Sequence, residues 1–492
     1  MDHYGLLSLL PPVIAIVLAI WTRQVYVSLL TGIWLGWIVI NQGNFLTGTF
    51  DTVQGLVNVF QDAGNTRTIM FCALVGALIL FVQKSGGVEG YILQVNRWLL
   101  RLAKQDPKRE RMWVQLLAWL TGMIVFVETS ISLLTVGTLY RPLFDRLGIS
   151  REKLAYVADS TSAPTSIIIP FNGWGAFIMG LLAANEFTHP FSAMFQAMPY
   201  NFYPFLALAL VLIVILTDWN FGPMKKAEKR VRETGALLAE GSEAMIAEDL
   251  IEVEVEKGVT PKAMNMVIPI AVMVLMMPVI LAYTGWGETK AGESFFEKLF
   301  VAIGKGSGST AVLVAVLTAI LASMVLYRAQ RIFKVPQMID ITLKGISSLM
   351  PLALLMMLAF AISGVCKELH TGQYVAEITR AWLSPAMAPL LVFLVSCFIA
   401  FATGTSWGTF AIMIGIAIPM ARELDANVFM VIGAVMGGGV FGDHCSPISD
   451  TTILASMSSA TDHIDHVRTQ MPYALLAGGV AALGYLVMGL VS

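Results

Sequence analysis

Gly442-Asp443-His444-Cys445-Ser446-Pro447-Ile448-Ser449-Asp450-Thr451-Thr452 sets two carboxylates, an imidazole and four hydroxyls between apolar stretches. Polar groups without a partner cost several kcal/mol each in hydrocarbon, so such a run is retained only where protein or a hydrated cavity surrounds it. The run reads as an ion or substrate site.

The flanking sequence sets the class. With 57% hydrophobic and 13% charged residues over 492 positions and a mean hydropathy of +0.74, the chain has too little polar surface for a soluble globule. An all-α polytopic membrane protein is expected. A crossing needs about 20 mainly apolar residues, and ten stretches qualify: 6–21, 25–40, 69–83, 154–184, 200–217, 263–284, 307–327, 346–366, 427–456 and 472–491. Asp2 and His3 supply no basic leader and Pro11-Pro12 sits inside the first stretch, so a retained span is expected rather than a cleaved signal peptide. Cys72, Cys366 and Cys397 lie in apolar stretches and Cys445 in the polar run, which implies no extracellular disulfide framework. A net charge of −2 gives no reason to expect a nucleic-acid partner, and membrane lipid is the expected surroundings.

The charged segment 218–262 divides the chain into halves, 1–217 and 263–492, and reads as a cytoplasmic linker. Each half carries two polar interruptions. In the first these are Phe126-Val127-Glu128-Thr129-Ser130 and Asp159-Ser160-Thr161-Ser162-Ala163-Pro164; in the second, Thr403-Gly404-Thr405-Ser406-Trp407 and Asp443-His444-Cys445-Ser446-Pro447. The shared Asp-x-x-Ser-(Ala)-Pro pattern points to an internal repeat with a site at its interface. Chance likeness of small-residue membrane segments is the plainer alternative.

Basic residues test the topology, because Lys and Arg concentrate in short cytoplasmic loops. The stretch 112–140 is preceded by Arg97, Arg101, Lys104, Lys108, Arg109 and Arg111 and followed by Arg141, Arg146, Arg151 and Lys153. Both flanks therefore belong on the cytoplasmic side, which a single crossing cannot satisfy. A re-entrant hairpin does, and such loops are permitted inside protein. Treating 112–140 and 386–421 as hairpins gives about five crossings and one hairpin per half. An odd number of crossings inverts the second half and leaves most of the 31 Lys and Arg on the cytoplasmic face. The stretches holding Pro164 and Pro447 are expected to be broken helices, since proline removes a backbone donor and clashes with the preceding turn; a simple kink is the alternative.

The residue types suit a hard cation such as sodium, which prefers oxygen ligands. The expected binding residues are Asp159, Ser160, Thr161, Ser162, Thr405, Ser406, Asp443, Ser446, Ser449, Asp450, Thr451 and Thr452, with Asp159, Asp443 and Asp450 supplying charge to sodium. Protons compete for carboxylate oxygens in poorly solvated sites, so Glu128, Asp159 and Asp443 are candidates for proton coupling. His444 is a fourth, since histidine titrates near physiological pH; a packing or hydrogen-bonding role is its alternative. No Lys or Arg occurs within 154–184, 386–421 or 427–456 to pair with a substrate carboxylate. Helix N-termini can hold an anion without one.

GDHCSPISDTT at 442–452 and SSATDHIDHVRTQMPYAL at 458–475, with FVETS at 126–130 and ADSTSAPTS at 158–166, resemble the NhaC-type sodium/proton antiporter family over nearly the whole chain. The resemblance implies the wider ion-transporter superfamily, whose members look like homodimers of inverted repeats with a scaffold and a mobile domain. It further implies a secondary transporter of the inner membrane, not an enzyme, that needs no cofactor and extrudes sodium against inward proton flow. Similar sequences include malate/lactate exchangers, so an organic acid or amino acid stays open as substrate.

Other features have plainer readings. Asp462, His463, Asp465 and His466 have metal-ligand types, yet capping or ion pairing at a cytoplasmic loop is expected. Gly437-Gly438-Gly439 and Gly442 lack the strand and GKS/T of a phosphate loop and suit close helix packing. The amphipathic stretches 88–103 and 223–239 suit interfacial helices. The 27 methionines scatter through apolar spans as packing.

Overall fold

The computed structural model describes residues 4–22, 24–91, 93–94, 109–126, 128–245, 259–290, 294–379 and 383–491, and every regular element among them is helical. Arg23, Arg97, Arg101, Lys104, Lys108, Val127, most of the stretch 88–103 and the linker positions 246–258 lie outside the described residues. Before the linker come α1 (Leu10–Thr22), α2 (Val25–Ile40), α3 (Phe45–Asn58), α4 (Ala63–Lys84), α5 (Glu110–Ile124), α6 (Thr129–Arg146), α7 (Arg151–Ile168), α8 (Gly173–Ala184), α9 (Pro190–Ala197) and α10 (Phe202–Thr217). The linker begins with α11 (Gly222–Thr234). After it come α12 (Met264–Gly285), α13 (Phe295–Lys305), α14 (Gly308–Ala329), α15 (Val335–Glu368), α16 (Thr371–Thr379), α17 (Ala388–Thr403), α18 (Ser406–Glu423), α19 (Val428–Cys445), α20 (Asp450–Ser459) and α21 (His463–Val491).

Nine of the described helical segments are long and apolar enough to cross a membrane, or ten if the bent pair α7–α8 is one span. The chain is a multi-pass membrane protein. Its helices sort into two packed groups. In one, α4 lies along α15, α12 along α14 and α1 along α2. In the other, α7 is central and touches α5, α6, α10, α19, α20 and α21, while α17 and α18 both pack on α19. The glycine run of α19 serves that packing: a Cβ on Gly438 would lie 2.6 Å from the Phe393 carbonyl oxygen, and Gly439 faces the Phe410 ring.

Polar caps define where the helices of the second group begin. Ser150 accepts from Lys153 N at the start of α7, Asn172 from Gly175 N at α8, Asn427 from Met430 N at α19 and Ser449 from Thr451 N at α20. Each satisfies a main-chain donor that has no partner within its helix.

One expectation is corrected. Pro164 does not break its helix but sits inside the continuous α7, and the break falls at 169–172, with α8 bent 41° from α7. A proline inside a helix can be absorbed by a kink, whereas a break needs new partners for the freed groups. Asn172 supplies them: its Nδ2 donates to the carbonyls of Ser166 (2.8 Å) and Phe126 (3.0 Å), and its Oδ1 accepts from Gly175 N (3.0 Å). Pro170 is thus the counterpart of Pro447.

The linker docks on the ends of the second group. Buried Glu228 of α11 accepts from Ser150 N (2.8 Å) and pairs with Arg111 (3.1 Å), while Arg230 pairs with buried Glu152 (2.7 Å). Further along, Ser242 donates to Asp465, and Met245 N to the Thr461 carbonyl at 3.1 Å.

Candidate functional site

Two short connections join adjacent helices: one between α5 and α6, described at 125–126 and 128, and 404–405 between α17 and α18. The last residue of each turn, Glu128 and Thr405, has almost the same extended backbone, with φ −151° and ψ 133° against φ −150° and ψ 127°. Gly404 takes φ +69°, and a Cβ there would meet the Ile448 carbonyl at 2.7 Å, so this turn is pressed onto the break at 446–449.

Asp443 sits three residues before that break. Its Oδ2 accepts from Ser406 Oγ at 2.6 Å and its Oδ1 from Ser449 Oγ at 2.5 Å, and Ser449 Oγ lies 2.9 Å from Thr451 Oγ1. All four residues are buried. Around them, Ser446 Oγ donates to the Phe401 carbonyl (2.7 Å) and Thr452 Oγ1 to the Ser446 carbonyl (2.6 Å). These bonds hold the break against the turn of α17–α18 and leave Asp443 ringed by hydroxyls.

Asp159 belongs to a second cluster. Its Oδ2 accepts from Gln470 Nε2 at 2.8 Å and lies 3.4 Å from His466 Nε2, while Oδ1 has no hydrogen-bond partner among the described residues. The neighbouring Ser160 Oγ lies 2.9 Å from His444 Nε2, whose other ring nitrogen lies 2.6 Å from the Tyr203 hydroxyl. Asp159, Ser160, Tyr203, His444, His466 and Gln470 are all buried.

Asp159 and Asp443 therefore have separate side-chain hydrogen-bond partners. Asp159 lies in the ninth position of its 18-residue helix and Asp443 in the sixteenth of a helix of equal length, about two turns apart in frame. Asp450 is exposed at the first residue of α20, where the helix dipole favours an anion. Thr161 and Ser162 join neither cluster, because their hydroxyls bond back to their own helix, at the Val157 carbonyl (2.8 Å) and the Asp159 carbonyl (2.9 Å). Thr405 stands at the turn without capping α18. Glu128 is half-buried and accepts from Ile131 N (2.9 Å) and Ser130 Oγ (3.1 Å). Among the described residues, no group of three or more His, Cys, Asp or Glu is placed to hold a metal ion.

Residue order in sequence did not reveal His466 and Gln470 as partners of Asp159. The available signal was their spacing of four, which puts both on one face of α21. The rest of that string also has structural partners: His463 Nε2 lies 2.6 Å from the Pro447 carbonyl oxygen, and Asp462 accepts from Asp465 N (3.0 Å) and Glu243 N (3.4 Å).

Helices of opposite halves run together at the site. Trp174, second in α8, and Trp407, second in α18, have ring centroids 4.8 Å apart, and at the other end Arg422 donates to the Asn185 carbonyl at 3.0 Å. Likewise α6 packs on α20, where Gly137 leaves room for Ser458.

A membrane bundle with a buried carboxylate held by two hydroxyls beside a helix break suits a solute carrier. The model of the Na+/H+ antiporter family matches residues 174–490, and the chain belongs to that family. It is 32% identical to an uncharacterized protein of Haemophilus influenzae over 98% of this chain and 90% of that one. A shorter match, 36% identical over 22% of this chain and 23% of the other, is to the malate-2H(+)/Na(+)-lactate antiporter of Bacillus subtilis. The crystal structure of the Alcanivorax borkumensis YdaH transporter shares the fold, with a TM-score of 0.57 at 14% identity, covering 89% of this chain and 88% of that one. The protein is a transporter, not an enzyme.

Proposed function

We propose that the protein is a secondary antiporter that exchanges cytoplasmic Na+ for external H+ by alternating access. The observation that carries this reading is the Asp443 centre: one buried carboxylate within 2.6 Å of two serine hydroxyls, at a broken helix whose last carbonyls add further oxygens. Oxygen donors of this kind suit a hard monovalent cation. Asp443, Ser406, Ser449 and Thr451 hold the transported cation; Asp159, His444 and Glu128 are the further groups available to the proton. In this reading residues 1–217 and 263–492 are inverted repeats of five crossings and a re-entrant hairpin each, α5–α6 and α17–α18 being the hairpins. The linker 218–262 faces the cytoplasm, and the protein works in the inner membrane as a homodimer.

Proteoliposomes with an imposed pH gradient test the assignment. Sodium should collapse the gradient in the wild type, and Asp443→Asn and Asp159→Asn should each abolish the response. Sodium-driven proton movement that persists in both variants removes this function.

A second reading, sodium- or proton-coupled exchange of an organic acid, is favoured by the match to the malate-2H(+)/Na(+)-lactate antiporter. The N-termini of α8 and α18, brought together at Trp174 and Trp407, offer main-chain donors to a carboxylate. Only ligands of the folded state raise its stability. Melting raised by malate or lactate at concentrations where sodium has no effect selects this reading.

A further inference from the structure

Two consecutive pairs, Asp159-Ser160 on α7 and Asp443-His444 on α19, are tied together by a residue of the last helix. Gln470 Nε2 donates to Asp159 Oδ2 at 2.8 Å and also to the main-chain carbonyl of His444. That carbonyl lies in the last turn of α19, where carbonyls lack a partner within the helix. Both N–H groups of the amide are thus used, one on each centre, while Gln470 Oε1 and Asp159 Oδ1 are buried without hydrogen-bond partners among the described residues. Removing one acceptor from a buried amide leaves a polar group that must find another.

We propose that Gln470 is a positioning residue that makes the end of α19, and with it Asp443, respond to what Asp159 binds. The amide holds both bonds only while Asp159 offers it Oδ2. When Asp159 turns that oxygen to a transported ion, the amide loses an acceptor and rotates, and the His444 carbonyl is freed beside Asp443. Its own oxygen then becomes available to the site. The direct contact of Ser160 with the His444 ring keeps the two helices in register as this happens. The inference rests on the reading of both aspartates as ion-binding, and adds how the one informs the other.

Hydrogen exchange of the purified protein tests it without any transported ion. Exchange over 441–449 should speed up about threefold or more in Asp159→Ala and in Gln470→Met, and the double variant should add nothing to either, as expected for residues acting through one contact. Gln470→Leu, which also loses both donors, should reproduce Gln470→Met and serves if the latter does not fold. Unchanged exchange in Asp159→Ala, or effects that multiply in the double variant, overturn the proposal. Sodium should alter exchange over 441–449 in the wild type and not in Gln470→Met. A wild type insensitive to sodium, with the pattern among variants intact, supports the coupling and removes sodium as the cargo.

Discussion

The two breaks share a frame and differ in chemistry. Ile169-Pro170-Phe171-Asn172 and Ser446-Pro447-Ile448-Ser449 both place proline second and a capping side chain fourth, after helices of 18 residues each. Three positions before the break the first half has Ser166 and the second Asp443. At the turns pressed against them the order is reversed, with Glu128 in the first half and Thr405 in the second. At these matched positions each half thus carries one carboxylate, on the turn in one and on the broken helix in the other. Ser166 only donates to the Phe126 carbonyl at 3.3 Å, whereas Asp443 gathers two hydroxyls. The first break is built as structure and the second as a site.

Substitution at the matched positions gives the largest expected contrast. Asp443→Asn should lower transport by more than about a hundredfold, beyond the usual loss for a group that merely supports a ligand. Ser166→Ala should stay within about twofold, since one long hydrogen bond is lost. Equal losses in reconstituted vesicles would dissolve the distinction between the two breaks. Each cap side chain holds three hydrogen bonds, so Asn172→Ala and Ser449→Ala should each cost about 2 kcal/mol of stability. Denaturation midpoints in detergent measure both, and a Ser449→Ala protein as stable as the wild type would mean that the second break is not held by its cap.

Most of the long apolar helices and both turns were legible in sequence, the helices by apolar runs and the turns by polar residues inside those runs. However, Val25–Ile40 is too short to count as a span, and Pro385–Thr403, read as half of a hairpin, is long and apolar enough to be one. The polar string at 442–452 also stands at the break it suggested. The first break was misplaced by one motif for a physical reason. The pattern Asp-x-x-Ser-(Ala)-Pro aligned Asp159 with Asp443, but Pro164 is accommodated inside α7, and it is Asn172 that makes a break stable six residues beyond Ser166. The sequence signal was there in Pro170-Phe171-Asn172, a proline followed by a capping residue. Gln470 and His466 were hidden because their importance comes from α21 packing against α7, which periodicity within one helix does not encode.

The turns give the next contrast. Ser406 and Thr129 each follow the capping position of their turn. Ser406 donates to Asp443 at 2.6 Å, whereas Thr129 Oγ1 reaches only Glu128 next to it, at 3.3 Å. Ser406→Ala should raise the sodium concentration for half-maximal exchange about tenfold. Thr129→Ala should shift it less than about twofold. A larger shift in Thr129→Ala would move the cation towards Glu128.

The smallest effect concerns how each break is closed. The Pro170 carbonyl faces Gly175 of its own following helix, whereas the Pro447 carbonyl is met by His463 from the next helix, at 2.6 Å, with the other ring nitrogen 3.1 Å from Ser456 Oγ. His463 is only half-buried, so water can take over both bonds when the ring is removed. His463→Ala should therefore cost no more than about 1 kcal/mol, less than Asn172→Ala. Melting curves of the variant and wild type check this, and a cost above that of Asn172→Ala would mean that the second break depends on the imidazole at Pro447, a requirement the first break meets with Asn172.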